Sequence, residues 1–411
     1  MQPLRGRAAH SPAGHPGCAS RPWARRCNPF GVGVVAFFGT VAVVILLTNA
    51  HPSVAQGPSP GDWPVFRGNT LQTGVAASTL PDQLEVRWTF KTKDAVEGST
   101  AIVRGTVYVG SQDEYLYALD LTTGKEKWKF KAAPIKVTPS VYQDAVYVGD
   151  GDGWFHCVDA ASGKERWKFE AGAEITSAAN FSGSNVLFGC GDENLYCLSA
   201  EGKLVWRFKV AGGPVLGSPA IAGGRTFVSG CDSTLHVIDI AKGTELGAVA
   251  LEGQTGSTTA VVGDHLYVGT MSNQVVAVDW KKAAIVWRFE VAKRQKPFFA
   301  SAAVTDALVI AGSRDKHVYG IDRKTGKEAW SFATRGNVDS SPVIVGQRVF
   351  VGSLDGNLYA LDLAGGKELA RFDLGGGETV NKGVAGSPAV GEGCLVIGTN
   401  DGAVHCLGAK K

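Results

Sequence analysis

A short apolar phrase occurs eight times along the chain at nearly constant spacing. VYVG at Val107–Gly110 recurs as VYVG from Val146, VLFG from Val186, TFVSG from Thr226, LYVG from Leu266, LVIAG from Leu308, VFVG from Val349 and LVIG from Leu395. Successive starts lie 39, 40, 40, 40, 42, 41 and 46 residues apart. A fixed period of that length marks a repeat architecture, in which each unit buries its apolar face against its neighbours.

Each copy has the same internal order. A short apolar strand follows a Ser/Thr/Pro start, as in SPAI at Ser218–Ile221, and the VYVG strand comes next. A turn with Asp follows, at Asp113, Asp152, Asp192, Asp232, Asp355 and Asp401. The third strand reads LYALD at Leu116–Asp120, and a Thr-Gly or Ser-Gly turn leads to a fourth such as WKF at Trp128–Phe130. Four short antiparallel strands per repeat make one propeller blade. The expected fold is therefore all-β: an eight-bladed β-propeller over residues 84–411. The last repeat lacks a fourth strand, and EVRWTFK at Glu85–Lys91 supplies one from the N-terminal side, closing the ring. A closed ring has no free sheet edge and is expected to be monomeric.

In ALDLTTGKEKW, Ala118–Trp128, the Asp120 carboxylate suits the turn amides and Gly124 the positive φ of a tight hairpin. Trp128 is expected to pack on the neighbouring blade, as are Trp88, Trp167, Trp206, Trp287 and Trp330. A set repeated around a ring does not converge on one point, so it is structural rather than catalytic. Gly247 and Ala370 interrupt it.

These motifs resemble the pyrroloquinoline-quinone (PQQ) repeat superfamily, A-x-D-x-x-T-G-x-x-x-W, which Ala118, Asp120, Thr123, Gly124 and Trp128 match in full. DWPVFRGNTLQTGVA, Asp62–Ala76, is similar to the lead-in of many exported members. The resemblance implies an eight-bladed ring and two functional branches. Quinoprotein dehydrogenases use PQQ and Ca²⁺ to oxidise alcohols or sugars and carry an adjacent-cysteine disulfide. This chain has no Cys-Cys and nearly minimal blades. The BamB-like branch of the outer-membrane assembly machine binds proteins and needs no cofactor chamber. The reading is thus a non-enzymatic, protein-binding scaffold at the cell envelope, with no catalytic residue, cofactor or metal assigned. A PQQ-dependent dehydrogenase is the alternative, and a carbohydrate- or small-ligand-binding propeller the third.

Composition sharpens this. Residues 1–55 carry Arg5, Arg7, Arg21, Arg25 and Arg26 and no acid; without them 36 basic residues face 38 acidic ones. A near-neutral body gives no reason to expect nucleic acid. Gly31–Leu47 is an uncharged run of 17 residues, and Ser53-Val54-Ala55 has the form of a signal-peptidase site. Residues 1–55 are expected to be an export signal, leaving a periplasmic or secreted protein, or else a membrane anchor with the propeller outside. Residues 56–83 form the linker and lead-in. Of eight cysteines, Cys157, Cys197 and Cys406 share one strand position and read as small buried hydrophobes. DGDG at Asp150–Gly153 looks calcium-like, but Ala161 stands where an EF-hand needs Glu, so an ordinary turn is the better reading. His156, His236 and His405 share one column and cannot meet at a metal. The partner site is expected where the repeat departs from its pattern. The connection EVAKRQKPFFAS sets Lys293, Arg294 and Lys296 beside Phe298 and Phe299, and DLGGGETVNKGVAGS is a second long loop on the same face.

Overall fold

The computed structural model describes residues 59, 61–292, 294–375 and 383–410. The leader with Gly31–Leu47, Cys18 and Cys27, the cleavage site, Lys293 and most of the Gly-rich loop lie outside them. No helix among the described residues is long and apolar enough to cross a membrane.

The described chain forms eight four-stranded antiparallel sheets. The first blade is β2 (Ala101–Val103), β3 (Thr106–Gly110), β4 (Tyr115–Asp120) and β5 (Glu126–Lys131). Six more follow in the same order: β6–β9, β10–β13, β14–β17, β18–β21, β22–β25 and β26–β29 over residues 140–373. In the eighth, β30 (Ala389–Gly391), β31 (Cys394–Gly398) and β32 (Ala403–Ala409) are completed by β1 (Leu84–Lys91). Trp88 lies opposite Cys406 and Phe90 opposite Val404, which joins the two ends of the propeller sequence in one sheet. Second and third strands are buried on both faces, so they read as unbroken apolar runs, while the outer strands alternate.

The tryptophans hold neighbouring blades together by a specific contact. Indole Nε1 of Trp88 donates to the Leu121 carbonyl at 2.8 Å, Trp128 to Ala160 at 3.0 Å and Trp167 to Ala200 at 2.8 Å. Trp206 reaches Ile240 at 2.7 Å, Trp287 Arg323 at 2.9 Å and Trp330 Leu363 at 2.9 Å. Each ring lies on the turn glycine of the next blade. A Cβ added at Gly124 would meet Trp88 at 2.6 Å, and one at Gly243 would meet Trp206 at 2.5 Å. Glycine is needed there twice, for its positive φ and for the ring's close approach.

The six cysteines of the propeller are free thiols, and all but Cys231 are buried. Cys157, Cys197, Cys394 and Cys406 lie in strands and act as core side chains.

Candidate functional site

The lead-in segment crosses one end of the central channel and touches every blade. Gly61 accepts from Glu392 N at 2.9 Å beside β30; Trp63 and Ile102 of β2 exchange backbone bonds of 2.7 and 2.9 Å. The Pro64 carbonyl takes Val141 N at 2.7 Å, and that of Thr70 takes Ile221 N at 2.8 Å and the Asn180 side chain at 2.9 Å. Leu71 takes Val261 N, Thr73 takes Val304 N and Gly74 takes Ile344 N, each at 2.9 Å. The segment's side chains make this path possible. Arg67, 1% exposed, turns inward and donates to the carbonyls of Ala302 and Pro342 at 3.1 and 2.6 Å. Burial pushes its guanidinium down to about 9. Gly74 leaves room for that guanidinium and Gly68 for the Trp63 ring; a Cβ would lie 1.9 and 2.6 Å from them. The motif W-P-x-F-R-G…T-G is thus a plug.

Among the described residues the other end is open. Its mouth is a cavity of about 190 Å³ with Phe66 of the plug at its floor and residues from all eight blades in its wall. A ring of buried hydroxyls stitches the blades together there. Backbone N–H groups of Ser99, Ala178, Ser218, Thr258, Ser301 and Ser341 donate across the blade junction to Thr138, Ser218, Thr258, Ser301, Ser341 and Ser387, at 2.8–3.0 Å. Ser99 Oγ closes the ring on the Ser387 carbonyl at 2.8 Å. Ala178 is the one gap, where a blade offers no hydroxyl to Thr138.

Mouth-side turns are tied by acids. Asp113 accepts from the Tyr117 hydroxyl at 2.7 Å, Asp192 from Tyr196 at 2.5 Å and Asp355 from Tyr359 at 2.8 Å. In three blades histidine takes the tyrosine position: His156 Nε2 lies 2.9 Å from Asp150 and His236 Nε2 2.7 Å from Asp232, while His405 Nδ1 lies 3.0 Å from the Thr89 hydroxyl. Burial pushes the Asp150 carboxyl up, but His156 and the amides of Trp154 and Ala133 outweigh this and hold it below its ordinary value. DGDG forms a turn whose first Asp faces His156. Among the described residues no cluster of His, Cys, Asp and Glu is placed to hold a metal.

Rim residues flank the cavity. Lys136 pairs with Glu174 at 2.9 Å, and Arg314 grips Asp339 through two bonds of 2.8 and 2.9 Å. The Arg314 guanidinium lies 3.9 Å from the Phe299 ring centroid. Of the cationic-aromatic group expected to face a partner, Arg294 and Lys296 are exposed and Phe299 lines the mouth. Phe298 requires correction. It is 1% exposed, packed with Phe289 and Tyr319, and so cannot contribute to a surface. A signal for this exists in the sequence. Phe298 stands three residues before Ser301, as Ile135, Val215, Val338 and Val384 stand before Thr138, Ser218, Ser341 and Ser387, and all of these are buried.

Such a mouth does not fit PQQ with Ca²⁺. The cavity falls below the roughly 300–1,000 Å³ of small-molecule sites. Its rim cations Lys136 and Arg314 are already paired, and six of its hydroxyls already accept backbone N–H groups.

On the outside, half-exposed apolar side chains line the outer strands of three consecutive blades: Leu204 and Val205 on β13 (Leu204–Lys209), Leu246 on β17 (Thr244–Ala250) and Val286 on β21 (Ala284–Glu290). Lys127 and Arg166 hold the corresponding places in the first two blades.

No curated protein matches the chain in sequence. Among solved structures it is similar to BamB from Moraxella catarrhalis, at 20% identity over 80% of this chain and 98% of that one, with a TM-score of 0.67. It is also similar to quinohemoprotein alcohol dehydrogenase from Comamonas testosteroni (15%, 85% and 81%, TM-score 0.72) and to ADHIIG from Pseudomonas putida HK5 (14%, 86% and 81%, TM-score 0.73). At these identities the likeness shows the fold alone. The profile described as outer membrane protein assembly factor BamB matches residues 74–174, 151–246 and 231–411. The chain therefore belongs to the BamB family of PQQ-repeat β-propellers.

Proposed function

We propose that this protein is a non-enzymatic scaffold that binds protein partners at the cell envelope, carried there by its basic, apolar leader. The observation that carries this reading is the arc of Leu204, Val205, Leu246 and Val286, each 46–53% exposed on adjacent blades. Exposed apolar side chains on three adjacent blades, where the first two blades present Lys127 and Arg166, suit a surface that another protein covers, and Val86 and Leu369 on the outer strands of the eighth and seventh blades extend the exposed apolar area. The plugged channel supports it as well, because a propeller without a chamber works through its outside. Family membership points the same way, and the BamB whose structure resembles this one is titled as such. The dehydrogenase alternative has the shared fold in its favour.

A photo-cross-linking residue placed at Leu246 or Val286 in living cells tests the reading. Discrete adducts with an envelope protein are expected from these positions and not from Lys127 or Arg166. Equal labelling from both arcs, or none, would contradict it.

A further inference from the structure

In the first two blades the cation that precedes the outer-strand tryptophan has a carboxylate to pair with. Lys127 lies 3.7 Å from Asp120 at the end of β4, and its Nζ donates to the Thr106 hydroxyl of β3 at 2.8 Å. Arg166 lies 2.7 Å from Asp159 at the end of β8 (Trp154–Asp159). The closing sheet keeps the cation and drops the acid. Arg87 precedes Trp88, but Gly408 stands where Asp120 and Asp159 do. A Cβ at Gly408 would lie 2.6 Å from Arg87 Cδ, so the side chain crosses the strand there, and its buried Nε has no partner.

Two thiols stand where that acid is missing. Cys394 opens β31 at the place Thr106 takes in β3, and Cys406 holds the place of Ala118. Val396 lies opposite Cys406 and Cys394 comes two residues before it, so the cysteines are diagonal neighbours on one face of the sheet. That face packs on the first blade, where Cys406 Sγ lies 4.0 Å from the Leu121 carbonyl that Trp88 also holds. The Cys406 S–H donates to the Cys394 sulfur. This bond and the Arg87 guanidinium outweigh burial and Glu392, and hold the Cys394 thiol below its ordinary value. Cys406 is pushed up by the same bond and by burial, and keeps its proton. Cys394 is 6% exposed, against 0–1% for Cys157, Cys190, Cys197 and Cys406, and a Cβ at the adjoining Gly393 would meet nothing within 4 Å.

We propose that Cys394 is the attacking thiol of a disulfide exchange, a modification site on which a small disulfide leaves one of its halves. The Cys394 thiolate attacks one sulfur of that disulfide. A new S–S bond forms as the old one breaks, and the other half departs as a thiolate that takes a proton from water. Cys394 is oxidised and the departing sulfur reduced, so the exchange balances with no further reagent. The thiolate is the nucleophilic form, and a guanidinium without a carboxylate of its own favours it. The site is independent of the partner-binding reading above.

The full chain is incubated with glutathione disulfide near neutral pH, quenched in acid and mapped by mass spectrometry. Glutathione is expected on Cys394 before Cys231, although Cys231 is the one propeller cysteine that is not buried. Burial and Asp232 push the Cys231 thiol up. In Arg87→Gln the Cys394 adduct should form about tenfold more slowly. The pH dependence of Cys394 alkylation by iodoacetamide separates activation from access. Among the described residues Arg87 of β1, Cys406 of β32 and Glu392 of the turn before β31 are the charged and titratable groups that face the thiol. The parent midpoint is expected well below the free-thiol value of about 8.5, and Arg87→Gln should move it upward. Labelling of Cys231 first, no adduct on Cys394, or a midpoint that Arg87→Gln leaves in place would overturn the proposal.

Discussion

The two ends of the central channel are built on the same eight inner strands and are finished in opposite ways. At the plugged end one segment makes backbone hydrogen bonds to seven blades and holds the eighth through Asn180, with Trp63 and Arg67 almost wholly buried. Among the described residues no segment crosses the mouth. Adjacent blades are joined pairwise through hydroxyls, and the turns are held by single carboxylates. One end is a permanent closure fixed by main chain, the other a set of independent loops that can vary. A partner can recognise only the second kind of surface, or the outer strands.

The contrast can be broken most forcefully at Trp63. Trp63→Ala should cost about 3–5 kcal/mol in a denaturant titration, because it empties a fully buried indole site in the core shared by the first, seventh and eighth blades. A loss under about 1 kcal/mol would mean that the plug is an accessory. Ser301→Ala should cost less, about 1–3 kcal/mol, by leaving the buried Thr258 N–H without its acceptor at one junction only.

Acid should separate the two ends. The Asp150 carboxyl, like those of Asp192 and Asp355, is held below its ordinary value: burial pushes each up, and hydrogen bonds from a neighbouring His, Tyr or Asn side chain and from turn amides outweigh it. A depressed carboxyl contributes stability that is complete above the unfolded value of about 3.9 and disappears as pH falls through the folded one. Amide exchange at Trp154, Asn194 and Asn357, corrected for intrinsic rates, should therefore quicken below about pH 4, while Ile102, Val261 and Ile344 under the plug keep their protection. Equal loosening at both ends would erase the distinction. The smallest effect is expected from Phe299→Ala at the rim, within about 1 kcal/mol of the parent, since the ring is half-buried and lies against Arg314. A larger cost would make Phe299 part of the frame rather than of the open surface.

Much of this molecule is legible in its sequence because the repeat is strict. A period near 40 yields the blades, and the orphan EVRWTFK strand yields the closure. What is not legible depends on contacts between positions far apart in the chain. Trp63, Arg67, Gly68 and Gly74 stand out as a motif, yet nothing in their spacing says that their partners are Ala302, Pro342 and the backbones of the inner strands. Asp in the turn and Tyr or His in the third strand are visible separately. Their pairing emerges from the fold, and Met271–Asn273 with Val276 shows it by lacking both members in one blade. Phe298 misleads because its neighbours are charged, although its register against Ser301 assigns it to the buried column.

A scaffold without a cofactor chamber requires the closed channel. Thermal unfolding of the full chain with and without PQQ plus Ca²⁺ tests that most directly. A ligand at a hundredfold its dissociation constant adds about 2.7 kcal/mol and would raise the midpoint by about a degree or more. The predicted result is no saturable rise, because the mouth is too small, its rim cations are paired and its hydroxyl oxygens already accept backbone N–H groups. A saturable rise would contradict the closed channel and turn attention to alcohols and sugars as electron donors.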